Sequence, residues 1–163
     1  MNVKQSRAEL VDLLTRREIE ALIAGPLLEG FREHLPEDVV RDVMSGVIRK
    51  LAEEQGAALA QQWGGDSLTH FAKVMDIWTE GGALELHMID QARDKLYFNV
   101  TRCNYAELYR KLGIAHLGPI LSCCRDGALA KGFNPRIELH RTQTIMEGAD
   151  YCDFRYTLHN KTD

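Results

Sequence analysis

Apolar positions in the first half of the chain recur at helical spacing, and in the second half they switch to alternation. Over Ser6–Ala24, Leu10, Leu13, Leu14, Ala21 and Ala24 fall near a 3.6-residue period. Ser6 with Glu9 forms a capping box, and Gly25-Pro26 is expected to stop the helix. A short helix from Leu27 to His34 is then expected to end before Pro36, which suits the first turn of the next helix, where its missing N–H goes unused. That next helix, Glu37–Gln62, places Val39, Val40, Val43, Met44, Val47, Ile48 and Leu51 on a wide stripe that predicts packing along a sheet. Gly64-Gly65 ends it. Asp66 is the expected cap of a further helix, Ser67–Thr79, with Leu68, Phe71, Val74, Met75 and Trp78 inward.

Beyond Gly81-Gly82 the period falls to two. In Ala83–Asp90, Leu84, Leu86 and Met88 alternate with Glu85, His87 and Ile89, and Lys95–Cys103 answers with Leu96, Phe98 and Val100 on one face. The short polar link QARD makes this pair a hairpin. Asn104 is the expected cap of a helix carrying Tyr105, Leu108, Tyr109 and Leu112, and another helix follows Gly118-Pro119 as far as Gly132. Asn134-Pro135 then turns the chain into a second hairpin, Arg136–Leu158, joined by a tight turn. The pattern predicts an α+β fold: helices packed on a four-stranded antiparallel sheet made of two hairpins separated by two helices. The expected organisation is a single domain over residues 1–163, with a helical part at 1–80 and a hairpin-helix-helix-hairpin part at 83–158.

Composition narrows the function classes. The chain is 45% hydrophobic and 27% charged, with 20 basic against 24 acidic residues and a net charge of −4. Its basic residues are scattered, so the electrostatic footprint of a nucleic-acid or anionic-membrane binder is missing. No run approaches the ~20 apolar residues of a membrane span, and the N-terminus lacks the apolar core of a secretory signal. Four cysteines without a signal read as reduced thiols, so a cytoplasmic location is expected. Their spacing contains no CxxC pair, which disfavours a zinc knuckle or a thioredoxin-type centre.

Candidate chemistry comes from polar residues on expected inner faces. Counting along Arg136–Leu158, Arg141 and Gln143 follow Ile137 and Leu139 inward, and Cys152 falls with Phe154, Tyr156 and Leu158. The same count puts Arg102 with Leu96, Phe98 and Val100. A buried guanidinium needs a partner. Either it pairs internally, with Asp126 or Glu147, or it holds a ligand carboxylate through a two-pronged hydrogen bond. Cys123 precedes Arg125 and Asp126 near a helix start, where a guanidinium and the helix dipole are expected to lower its pKa. Cys124 falls with Ile120 and Leu121 and reads as packing, while Cys103 and Cys152 sit at strand ends. A three-thiolate zinc site with water as fourth ligand is the metal alternative, although no cofactor is the leading expectation. His87 and His140 alternate away from the apolar faces, and no Cys–His motif stands out.

Three runs together resemble a known family: TRCNYAELYRKLG (Thr101–Gly113), LGPILSCCRD (Leu117–Asp126) and GFNPRIELHRTQTIMEGADYCDFRY (Gly132–Tyr156). They resemble the L-2-amino-thiazoline-4-carboxylic acid hydrolase family over roughly the C-terminal two thirds. That resemblance implies hydrolytic opening of a cyclic 2-amino-thiazoline carboxylate on a bacterial route to cysteine. The C-terminal run also faintly resembles four-vinyl-reductase-like ligand-binding domains. Arg141 and Thr144 stand where those domains place Glu and a second Cys, which argues against transferring their zinc site.

The expected function is therefore a hydrolase acting on a C–N bond of a small cyclic amidine or isothiourea carboxylate. Arg141, with Arg102, Gln143, Cys103 and Arg125 around it, is expected to bind the substrate. Cys123 or Cys152 is the candidate nucleophile, and Asp126 or Asp153 the candidate proton carrier. The alternatives are a non-enzymatic sensor or carrier of a small carboxylate, and a scaffold that self-associates through the Glu37–Gln62 stripe.

Overall fold

The computed structural model describes residues 11–160; the expected capping box at Ser6 and Glu9 lies outside them. Helix α1 (Leu13–Arg32) begins at Asp12, whose carboxylate accepts from the Thr15 N–H at 3.0 Å. It runs through Gly25-Pro26, so the two helices expected on either side of that pair are one. Ala21, Gly25 and Leu28 are buried on one face while Pro26 is exposed. An interior proline costs about 3 kcal/mol, and continuous burial on the opposite face offsets it, since Leu28 alone recovers about 2 kcal/mol.

Helix α2 (Glu37–Trp63) ends at Gly64 in the left-handed conformation, φ 69°. One expected helix then becomes two, α3 (Leu68–Phe71) and α4 (Val74–Thr79). The cap of α3 is Ser67, whose hydroxyl accepts from the His70 N–H at 3.2 Å. Asp66 is not the cap. Its carbonyl instead receives the buried Asn134 side chain at 2.8 Å. Strands β1 (Leu84–Gln91) and β2 (Lys95–Cys103) form the first hairpin, followed by α5 (Asn104–Lys111). A wide π-type turn at Pro119–Cys123, closed by Cys124 N–H to the Pro119 carbonyl at 3.0 Å, leads into α6 (Arg125–Phe133). Strands β3 (Ile137–His140) and β4 (Cys152–Leu158) complete an antiparallel sheet of order β1-β2-β4-β3. The fold is α+β.

Central strands β2 and β4 set the inner face. Their register pairs Val100 with Cys152, Phe98 with Phe154 and Leu96 with Tyr156. Phe98 stacks on Phe154 with centroids 4.9 Å apart, and Phe71 of α3 meets Tyr156 edge-on at 5.0 Å.

Only part of the wide stripe expected to bury α2 turns inward, with Val40 buried and Met44 packed against the same cluster. Val39, Val43, Val47 and Leu51 are exposed, and the buried positions are Val40, Ala52 and Gly56. Helix α2 packs on α6 through glycines instead. A Cβ at Gly56 would lie 2.1 Å from the Leu129 carbonyl oxygen, and one at Gly132 would lie 2.0 Å from that of Glu53. The two backbones touch, so no larger residue fits.

Two departures from regular alternation decide which side chains face inward. In the β1–β2 pair the register jumps from Leu86–Val100 to Glu85–Arg102, leaving Thr101 as an extra residue. This bulge reverses the faces beyond it. Thr101 and Arg102 are both exposed, and Cys103 turns inward. In the second hairpin β3 stops at His140, so alternation does not reach residue 143. The Asp153 carboxylate holds the departing chain, accepting from Thr142 N–H at 3.0 Å and Gln143 N–H at 2.9 Å. Thr144 and Glu147 then cap a single 3-10 turn that ends at Gly148. The expected tight turn is an anchored excursion.

Gly56→Ala and Gly132→Ala are each expected to cost about 3 kcal/mol in urea unfolding or to prevent folding. Gly30→Ala, with open space around the added methyl, should be neutral or mildly stabilising. Burial works to raise the Asp153 pKa, but the hydrogen bonds from Thr142 and Gln143 outweigh it and hold the carboxyl below its ordinary value. A depressed carboxyl adds stability above its unfolded pKa of about 3.9 and loses it as pH falls through the folded value. Asp153→Ala should therefore cost about 1–2 kcal/mol at neutral pH, discounted for solvent screening. The gap from wild type should close in strong acid.

Candidate active site

Between the inner face of β2 and β4 and the covering helices lies a small cavity that opens partly to solvent. Trp78 and Phe154 form apolar walls, and Arg17 reaches in from α1. The polar end is built where the chain departs from regular structure. Cys103 enters because of the bulge in β2, Cys123 closes the π-type turn, and Arg125 and Asp126 open α6. Cys152 begins β4, and Arg141 arrives from the chain leaving β3.

Arg141 is committed to internal partners. It donates to the Asp126 carboxylate at 2.6 Å and to the Cys123 carbonyl at 2.9 Å, and its guanidinium lies 4.8 Å from the Phe154 ring centroid. The side chains of this ion pair are 14% and 22% exposed. Internal pairing with Asp126 is thus the alternative the structure holds for Arg141. Burial raises the Asp126 carboxyl above its ordinary range, with Arg141, Arg125 and Arg17 pulling the other way.

Arg125 has the opposite character. It is half-buried and makes no hydrogen bond or ion pair to a described residue. Burial lowers its pKa, and repulsion from Arg17 lowers it further. Arg17 is only 5% exposed and donates to Glu20 at 2.5 Å. Close by, the Tyr105 hydroxyl is buried without a hydrogen-bond partner among the described residues, and its pKa is raised by burial with Arg17 opposing. The guanidinia of Arg17 and Arg125 and the Tyr105 hydroxyl thus stand at one end of the cavity.

The thiols are not activated. Burial pushes Cys103 up to about 11 despite the opposing N–H groups of Ala106 and Tyr105. It raises Cys123 well above its ordinary value, aided by Asp126 and opposed by Arg141, which reverses the lowering expected from the helix start. Cys152 is raised too, although its sulfur accepts from the Ile145 N–H at 3.2 Å. Desolvation exceeds the dipole and guanidinium effects at each sulfur. Cys124 faces an outer groove beside Arg49, its thiol 2.9 Å from the Ile120 carbonyl. Among the described residues no group of three or more His, Cys, Asp or Glu is arranged to hold a metal ion.

The structure thus gathers Cys103, Cys123, Cys152, Arg125, Asp126 and Arg141 around one cavity. It leaves three expected site residues outside. Arg102 is exposed between Glu107 at 3.2 Å and Glu85 at 3.4 Å, because the bulge turned it outward. The Gln143 amide donates to the Tyr151 carbonyl at 3.0 Å, beyond the end of β3. Asp153 is spent on the Thr142–Gln143 backbone. Neither Arg17 nor Tyr105 is among the residues expected at the site. Arg17 stands on the helical stripe of Leu10, Leu13, Leu14, Ala21 and Ala24, and a charge on that stripe was a readable signal.

A comparison with curated proteins finds no match. A family model described as L-2-amino-thiazoline-4-carboxylic acid hydrolase matches residues 16–156, a span running from beside Arg17 through Cys152 and Phe154. The chain belongs to the L-2-amino-thiazoline-4-carboxylic acid hydrolase family.

Proposed function

We propose that the cavity hydrolyses a small cyclic amidine or isothiourea bearing a carboxylate, such as 2-amino-thiazoline-4-carboxylate. The observation that carries this is Arg125, without a hydrogen-bond partner among the described residues, beside Arg17 and with the part-buried carboxylate of Asp126 next to it in the chain. A cationic end and an anionic group in one small cavity complement a ligand that has a carboxylate and a protonated N–C–N or N–C–S edge.

In this reading Arg125 and Arg17 receive the carboxylate, and the Tyr105 hydroxyl donates a further hydrogen bond to it. Asp126 faces the amidine and takes a proton from water as the water oxygen adds to the carbon between the heteroatoms. It returns that proton to the ring nitrogen as the C–N bond breaks. Arg141 positions the Asp126 carboxylate. Trp78 and Phe154 exclude bulk water, which strengthens the charge interactions inside. The reaction uses water and side chains alone. Thiols held protonated by burial favour water over a thiolate as nucleophile. Two observations favour a second reading with Cys152 as nucleophile: its sulfur accepts the Ile145 N–H, and Arg141 also favours its thiolate.

Incubation with 2-amino-thiazoline-4-carboxylate, followed by mass spectrometry, should show carbamoyl-cysteine. A thiol-reactive chromogen tells C–N scission, which frees an amine, from C–S scission, which frees a thiol. Arg125→Gln should raise KM about 10–100-fold with a smaller change in kcat. Asp126→Asn should lower kcat about 10²–10⁴-fold. Cys103→Ser, Cys123→Ser and Cys152→Ser should each keep most of the turnover. Loss of kcat in Cys152→Ser to the level of Asp126→Asn would favour the thiol reading. Stoichiometric binding without product would make the protein a carrier or sensor.

A further inference from the structure

Every fourth residue from Ile19 to Leu51 is a large apolar side chain, and all nine are 43–64% exposed. Such i, i+4 rows are the ridges that interlock when helices pack. The four on α2, Val39, Val43, Val47 and Leu51, present apolar area on the order of 350 Å² per copy, a patch size that on a monomer often marks an interaction site. On α2 the row is Val39, Val43, Val47 and Leu51, on the side turned away from the glycine contact with α6.

We propose that α2 packs antiparallel on α2 of a second copy of this chain, across a two-fold axis beside Ser45 and Gly46. The spacing of the row is symmetric about Ser45: Val43 and Val47 lie two residues to either side, Val39 and Leu51 six. A two-fold axis there sets Val43 against Val47 of the second copy and Val39 against its Leu51, so one row serves both partners. Nothing lies within 4 Å of a Cβ built on Gly46, which leaves the centre open to close approach.

Charge supports the same pairing. In that register Asp42 stands opposite Ile48 of the second copy, and Lys50 lies two residues further on, about 3 Å along the axis and within reach of its long side chain, twice by symmetry. Lys50 is exposed and has no ion pair among the described residues, and Asp42 has only a 3.5 Å contact with exposed Arg41. A lipid surface suits the face poorly. From Glu18 to Leu51 there are seven acidic residues against four Arg and Lys, whereas helices that lie on membranes carry basic polar faces.

Sedimentation velocity of the full chain from about 1 µM to about 100 µM tests this. The proposal predicts a dimer at the upper end of that range. Val47→Glu and Val43→Glu should each weaken it about 100-fold or more, because each buries an unpaired charge at the centre. Both sites are exposed in the monomer, so circular dichroism and Tm should stay near wild type. Asp42→Lys should weaken association about tenfold, and adding Lys50→Asp should restore it. A wild-type monomer throughout the range would overturn the proposal. So would a dimer indifferent to Val47→Glu, no rescue by the charge swap, or a monomer that binds phosphatidylserine vesicles.

Discussion

The ion pair between Asp126 and Arg141 is the interaction on which the polar end of the cavity depends. It joins the first turn of α6 to the chain leaving β3, and a second arm of the same guanidinium reaches the Cys123 carbonyl. Removing one partner of such a pair leaves a buried charge and costs about 3–5 kcal/mol. The pair therefore holds in register the segments that deliver Cys123, Arg125, Asp126 and Arg141. It also divides the arginines. Arg141 is neutralised in place, and Arg125 is left with unused hydrogen-bonding capacity.

A packing constraint sets where α6 begins. Gly56 and Gly132 let α2 and α6 meet backbone to backbone, which places the start of α6 at the cavity wall. The price of that contact falls on α2, whose valine row is left outside. A helix held by its glycines keeps its apolar ridge free for another surface, so the internal architecture and the proposed dimer share one cause.

What could be read in the sequence follows the same physics. The switch from a 3.6-residue to a two-residue period located both hairpins and the helical layer, because burial against a sheet enforces those periods. Local breaks were harder. Gly25-Pro26 reads as a stop, but burial of Ala21 and Leu28 carries α1 through it. One extra residue, Thr101, sends Arg102 outward and Cys103 inward, and a bulge leaves no mark in an alternating pattern. Arg141 was legible as a buried arginine, and its pairing with Asp126 as one of two outcomes. Arg17 was legible as a charge on an apolar stripe. The thiol pKa values were not, because burial depth is a property of the assembled fold.

The central claim is that Asp126, lifted by burial and restrained by Arg141, moves the protons. Its most direct test is the pH dependence of kcat/KM for 2-amino-thiazoline-4-carboxylate, in the wild type and in a folded Arg141→Gln variant. Arg141 lowers the Asp126 pKa against the larger effect of burial. The account predicts an acidic limb above the ordinary carboxylate range of about 4, moving further up in the variant. A rate that rises only on the alkaline side, at or above a thiol midpoint of about 8.5, and does not respond to Arg141 would contradict it.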